Sequence, residues 1–267
     1  MKIGFIQGRL LKSENKNFIQ YFPSKNWIKE IILANKNKLN LIEWTANLQN
    51  LKKNPVYNKK LINKAKKILK KNNIKAESLT CDFFMQKPFF KIKNSYFYLN
   101  ILKKVIMNAQ LLGIKYFVIP LVDNSSIKNI NQENLLIKEM QKISSILNSR
   151  SKILFELDLR PRKVLNFIKK FNNKFGINYD TGNSAALNYN FKIEKLYFKY
   201  VRNVHIKDRL IRGHSVRLGA GNWKYKEFFK YIKKNYHGNL ILQTARSKKD
   251  NDIEEILINR GFVRKYL

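Results

Sequence analysis

Two hydrophobic rhythms take turns along this chain. Short apolar runs rich in Ile, Leu, Val and Phe read as buried strands at Lys2–Gln7, Leu39–Trp44, Ile74–Cys81, Lys115–Pro120, Lys152–Leu157, Phe175–Asp180, Val201–Ile206 and Asn239–Thr244. Longer segments follow each run, with apolar residues spaced three and four apart. They read as helices around Ser24–Asn35, Asn58–Asn72, Asn94–Leu112, Gln132–Ser149, Arg162–Phe171, Asn190–Tyr200, Lys224–Asn235 and Asp250–Phe262. The helical spacing is plain at Leu61, Ala65, Ile68 and Leu69, and again at Leu135, Met140, Ile143 and Leu147. Eight strand-then-helix units within 267 residues are what a closed (β/α)₈ barrel requires, so the pattern predicts one α/β barrel domain over residues 1–267. An open doubly wound sheet would carry a Gly-rich phosphate loop after its first strand. Gln7-Gly8-Arg9-Leu10 has one Gly and does not match.

In such a barrel the chemistry gathers at the C-terminal ends of the strands. Those ends carry Gln7 and Arg9, Glu43, Asp82, Glu156, Asp180 with Asn183, His205 with Lys207 and Arg209, and Gln243 with Arg246. A polar residue emerging from an apolar strand is costly unless it is paired or liganded. Several converging on one mouth make a site. Glu156, Asp180 and His205 come from three consecutive strands and suit a divalent cation: Mn²⁺, Mg²⁺, Co²⁺ or Zn²⁺. The competing reading is a salt-bridged network of Glu156 and Asp180 with Lys207 and Arg209. Of the other two histidines, His237 reads as solvent-facing, and His214, in the long loop after strand seven, reads as a surface residue that could still reach a ligand.

Composition narrows the rest. The hydrophobic fraction of 44% supports a large core, and no apolar stretch approaches the roughly 20 residues of a membrane span. Met1–Phe5 enters a strand-like run at once, without a signal-peptide pattern, and Cys81 is the single cysteine. A cytoplasmic protein is the expectation. Lys plus Arg total 54 against 18 Asp plus Glu, a net charge of +36. That balance could serve nucleic-acid binding, yet the lysines recur on every expected helix rather than in one cluster. A solvated surface is the better reading, with attraction of anionic substrates as its modest functional consequence.

At these residues the chain resembles the xylose isomerase-like TIM barrels, the sugar phosphate isomerases and epimerases. The likeness is carried by Ile3–Leu10, Leu41–Trp44, Cys81–Met85, Asn178–Asn183, Asn203–Arg209, Leu218–Gly221 and Ile241–Arg246. The resemblance implies one divalent metal held by Glu156, Asp180, His205 and Gln243. In the epimerases the strand-eight position is commonly Glu, a ligand and one of two acid–base carboxylates. Gln243 can still coordinate through its carbonyl, but it cannot take a proton near neutral pH.

The expected activity is therefore isomerisation or epimerisation of a sugar or sugar phosphate through a metal-stabilised enediolate. Glu156 is the expected base and Lys207 the second acid, while Gln7, Arg9, Glu43, Asp82, Asn183, Arg209 and Arg246 are expected to bind substrate. Dehydration of a cyclic polyol would begin the same way. Two rivals differ in class. Apurinic-site endonucleases share the barrel, but three histidines in total cannot build their zinc cluster. The third reading is a small-ligand-binding barrel that has lost catalysis.

Overall fold

A computed structural model describes residues 1–12, 20–93, 95–247 and 251–267. The eight apolar runs form the strands β1 (Lys2–Ile6), β2 (Leu41–Thr45), β3 (Lys75–Thr80), β4 (Tyr116–Leu121), β5 (Lys152–Leu157), β6 (Phe175–Asp180), β7 (Val201–Ile206) and β8 (Asn239–Leu242). All pair in parallel with their sequence neighbours, and β1 pairs with β8 to close the barrel. The expected bounds hold for β5, β6 and β7. At β8 the ladder stops two residues early, so Gln243 and Thr244 leave the strand.

Ten helices surround the sheet or cap its ends among the described residues: α1 (Trp27–Lys36), α2 (Ile62–Lys71), α3 (Asp82–Gln86), α4 (Ser95–Leu111), α5 (Ile130–Ile143), α6 (Pro161–Ile168), α7 (Thr181–Ala186), α8 (Phe191–Glu194), α9 (Tyr225–Asn235) and α10 (Asp252–Lys265). α3 and α7 were not apparent from periodicity, since each is a short turn of helix at a strand end. The expected start of the last helix at Asp250 lies outside the described residues. The ribbon Asp208–Arg209 with Ser215–Val216 is also additional, an antiparallel pair beyond β7.

The main core lies between sheet and helices, where Phe5, Trp44, Phe117, Phe155, Val204 and Phe228 are buried. The inside of the barrel differs. At its lower end Ile6, Leu41 and Ile241 form a small apolar plug. Gly4 makes room for it, because a Cβ there would lie 2.7 Å from Leu41 Cγ. Above the plug the inward side chains turn polar: Glu43, Asn178, Asp180, Asn203 and His205 are all buried. Side chains two apart share a face, so Asn178 with Asp180 and Asn203 with His205 point into the barrel together. Asp180 is in register with His205 on the next strand.

The lysines behave as a solvated coat. Lys64 and Lys67 on α2, Lys138 on α5, Lys163 on α6, and Lys230 and Lys233 on α9 are all exposed, on helices spread around the ring. Among the described residues no helix is long and apolar enough to cross a membrane.

Candidate active site

A closed ring of polar contacts lies above the plug. His205 Nε2 is 2.6 Å from Glu43 Oε1. Glu43 Oε2 accepts from Asn203 Nδ2 at 2.8 Å, and the same amide donates to Asn178 Oδ1 at 2.8 Å. Asn178 Nδ2 in turn donates to Glu156 Oε2 at 2.8 Å. Glu156 Oε2 returns to 3.0 Å from His205 Nδ1, the distance of an ion pair when the imidazole is charged. Asn183, on the first turn of α7, holds the other oxygen of Glu156 through its Nδ2 at 3.2 Å.

Three buried side-chain atoms in and beside this ring have no hydrogen bond among the described residues: Asn203 Oδ1, His205 Nδ1 and Asp180 Oδ2. The last two face each other, 3.9 Å apart. Asp180 Oδ1 is already committed to the Asn183 N–H, capping α7, which turns Oδ2 toward the imidazole. An unpaired buried polar atom is costly, and two facing each other beside a carboxylate call for a shared cation. Ligand atoms of Glu156, Asp180 and His205 all lie within 4.8 Å of one another. Metal–ligand bonds of about 2.0–2.2 Å place neighbouring ligands about 3–4 Å apart, so the set fits a divalent ion. It is the one such cluster among the described residues. Glu43 on the far ring nitrogen completes a carboxylate–histidine arrangement that fixes the tautomer a metal needs.

Electrostatics agree with a site built for positive charge. Burial alone lowers the His205 pKa, but the Glu43 and Glu156 carboxylates outweigh it and raise it well above the ordinary value. Burial raises the Asp180 pKa, Lys207 opposes the shift, and Glu156 adds to it.

Above the ring opens a cavity of about 660 Å³, within the usual range for small-molecule sites. Of the residues expected there from sequence, Arg9, Asp82, Glu156, Asn183, Lys207, Arg209, Gln243 and Arg246 line its wall. Gln7 and Glu43 do not, which corrects their expected role in touching substrate. Both are fully buried below the cavity. Gln7 Oε1 accepts the Thr45 N–H at 3.0 Å, and both Glu43 oxygens are spent on His205 and Asn203. His214 is exposed, and from its loop it lines the cavity rim, so both readings left open for it apply. His237 is exposed before β8, as expected.

The competing salt-bridge network does not form. Lys207 Nζ donates to Gln243 Oε1 at 3.3 Å, and Arg209 uses Nε and Nη2 on Gly213 O at 3.0 and 2.9 Å. Lys207 passes directly over Gly182, where a Cβ would sit 2.6 Å from Lys207 Cδ. Arg246 pins the first loop by donating to Gly8 O at 2.6 Å and Leu11 O at 3.1 Å, and pairs with Asp252. Arg9 is different: it gives Nη1 to Thr244 O at 2.7 Å, while Nε and Nη2 are buried without a partner among the described residues. Burial, then Arg246, lowers its pKa to about 9, still leaving a cation at neutral pH.

The structural roles of four residues escaped the sequence reading. Asn178 and Asn203 look like ordinary strand positions until the barrel closes. Glu30, on α1, accepts the Gly8 and Leu10 N–H groups at 2.7 and 3.1 Å and sets the turn that carries Arg9. Asp208 accepts from the Gly219, Gly221 and Trp223 N–H groups at 2.9–3.0 Å and shapes the Gly-rich loop. The strand-end position of Asp208 and the glycines after it were the only available signals.

A family model described as xylose isomerase-like TIM barrel matches residues 31–266. A search of curated protein sequences finds no match. Among solved structures, D-allulose 3-epimerase from Methylomonas sp. with D-allulose superposes with a TM-score of 0.74 at 14% identity, over 100% of this chain and 97% of that one. The IOLI protein with a bound zinc atom gives 0.74 at 17% identity, over 100% and 98%. D-psicose 3-epimerase from Clostridium cellulolyticum H10, with D-tagatose, gives 0.69 at 13%, over 100% and 99%. At such identities these likenesses establish the fold.

Proposed function

The chain belongs to the xylose isomerase-like TIM barrel family, and from that membership we propose a metal-dependent isomerase or epimerase of a sugar or sugar phosphate. The observation that carries this reading is the convergence of three buried ligand atoms, from Glu156, Asp180 and His205, within 4.8 Å of one another, with Asp180 Oδ2 given no hydrogen bond among the described residues. Solved structures of the same fold are sugar epimerases, and one of them holds zinc.

Glu156, Asp180 and His205 would hold the ion, with Gln243 above them. A bound divalent cation supplies Lewis-acid stabilisation of the negative charge that develops on a substrate carbonyl oxygen. Glu156 is the base that removes the proton from the carbon beside that carbonyl, and the Asn178 and Asn183 amides hold its carboxylate in place. The Lys207 ammonium on the cavity wall offsets the charge of the enediolate. Arg9, a buried cation among the cavity-lining residues with two donor atoms unused among the described residues, would take a phosphate or carboxylate on a substrate that reaches it.

Calorimetric titration with Mn²⁺ tests the reading. The parent should bind one ion per chain, and His205→Ala should weaken binding sharply. No binding at millimolar Mn²⁺, or equal binding by both proteins, overturns it. Gln243 favours the second reading, a ligand-binding barrel without turnover. Sugar binding by a metal-loaded protein that leaves every sugar unchanged would select that alternative.

A further inference from the structure

Gln243 cannot exchange a proton near neutral pH, so an active site here needs another group to work beside Glu156. Among the described residues three carboxylates line the mouth cavity: Asp82, Asp123 and Glu156. Asp123 stands exposed at the rim. Asp82 is 6% exposed and sits where β3 hands over to α3. Its Oδ1 accepts from Thr80 Oγ1 at 3.0 Å and from Gln20 Nε2 at 2.8 Å. Its Oδ2 meets only Gln20 Nε2, at 2.9 Å among the described residues, and keeps a lone pair for a proton.

The contacts continue across the mouth. Gln20 turns its carbonyl to Gln243 Nε2 at 2.6 Å, and Gln243 turns its own carbonyl to Lys207 Nζ at 3.3 Å. A carboxylate at one end and an ammonium at the other allow one orientation of both amides. The strand-eight side chain is thereby built into a bridge that holds Asp82 at the cavity wall, with Lys207 as its positive terminus.

Resting on the functional reading above, we propose that Asp82 is the second acid–base carboxylate of this barrel, acting in the place that Gln243 has vacated and that Lys207 fills less well. Glu156 removes a proton from the carbon beside the carbonyl. The C–H electron pair becomes a C=C bond, and the carbonyl π pair moves onto oxygen. Protonated Asp82 then gives its proton to that carbon from its own side of the cavity. The C=C pair forms the new C–H bond, and the oxygen pair restores the carbonyl. Asp82 ends ionised and Glu156 protonated; water returns a proton to one and takes a proton from the other.

The acidity of Asp82 fits this work. Burial raises its pKa to about 7, against the bonds from Gln20 and Thr80, and Glu156 and Glu43 add to the rise. A proton donor performs best with a pKa near the working pH.

The experiment runs the Mn²⁺-loaded parent, Asp82→Asn, Asp82→Glu and Glu156→Gln in D₂O with a panel of ketoses, aldoses and their phosphates. Deuterium entry is read by NMR and product by chromatography. Asp82→Asn should keep deuterium entry within about tenfold of the parent and lose product formation by about 100-fold or more, the usual worth of a positioned acid. Retained exchange also certifies a folded site. Asp82→Glu should recover part of the loss, and Glu156→Gln should lose both readouts. Product formation by Asp82→Asn at parental rate overturns the assignment of Asp82 alone. So does loss of exchange together with product, since Asp82 would then act at the first step. A parent that exchanges no sugar overturns the functional reading, and the assignment falls with it.

Discussion

Replacing Glu43 by Gln changes one oxygen to NH₂ and leaves the cavity wall untouched, because Glu43 is fully buried beneath it. The ring of contacts leaves the new amide no comfortable orientation. With its oxygen toward His205 Nε2, its NH₂ meets the Asn203 Nδ2 donor now 2.8 Å from Oε2. Asn203 could answer by turning its amide, since its Oδ1 has no partner. That turn would break its 2.8 Å bond to Asn178 Oδ1, which orients the donor on Glu156. With NH₂ toward His205 instead, Nε2 must accept, and the ring proton moves to Nδ1, the atom a metal needs bare. Either way one charge-assisted buried bond is lost, about 1.5–3 kcal/mol. Partners of this kind cost about 10- to 100-fold in metal affinity when altered. Glu43→Gln should therefore weaken Mn²⁺ binding by about that factor in calorimetric titration. A loss of about 2 kcal/mol should also lower the apo melting temperature by roughly 4–8 °C. Mn²⁺ affinity within about threefold of the parent, short of that expected loss, would refute the role given to Glu43.

Three further outcomes follow from the same network. Glu43 and Glu156 favour the protonated form of His205, so Mn²⁺ competes with a proton there. Binding should tighten as pH rises and release about one proton, measurable by calorimetry in buffers of different ionisation enthalpy. Burial raises Glu30 from 4.5 to about 7, against the bonds from Gly8 and Leu10. A folded-state carboxylate pKa above the unfolded one means that stability falls as pH rises from about 4.5 to about 7. Glu30→Gln keeps an oxygen for both N–H groups, so its melting temperature should decline less than the parent's across that window. Gln243→Glu should tighten Mn²⁺ by adding a charge, but it sets a carboxylate against Gln20 Oε1, now 2.6 Å from Gln243 Nε2. Gln20→Ala in that background should tighten Mn²⁺ further by removing the clash.

The barrel was legible because each strand is buried on both faces and so appears as an apolar run bounded by polar residues. Glu156, Asp180 and His205 were legible for a related reason: each ends such a run, and consecutive strands of a parallel barrel are spatial neighbours. What escaped was whatever depends on which polar atoms are already spent. Glu43 has the same strand-end position as Glu156, yet its oxygens face the far side of the imidazole. Gln7 likewise turns into the wall. The Gln20 bridge crosses from the first loop to strands β3 and β8, a contact 223 residues apart in sequence, and no local pattern encodes it. α7 was missed because six residues are too few to show helical periodicity, although Asp180 caps it.

The central claim is that Glu156 moves a proton on a sugar bound over a metal at this mouth. Its most direct test is deuterium entry from D₂O into the carbon beside the carbonyl, followed by NMR across a sugar and sugar-phosphate panel, with and without Mn²⁺. Deuterium should enter at least one sugar with the ion present, and none after chelation or in Glu156→Gln. Exchange that persists in Glu156→Gln, or a Mn²⁺-loaded parent that labels none of the panel, would contradict it.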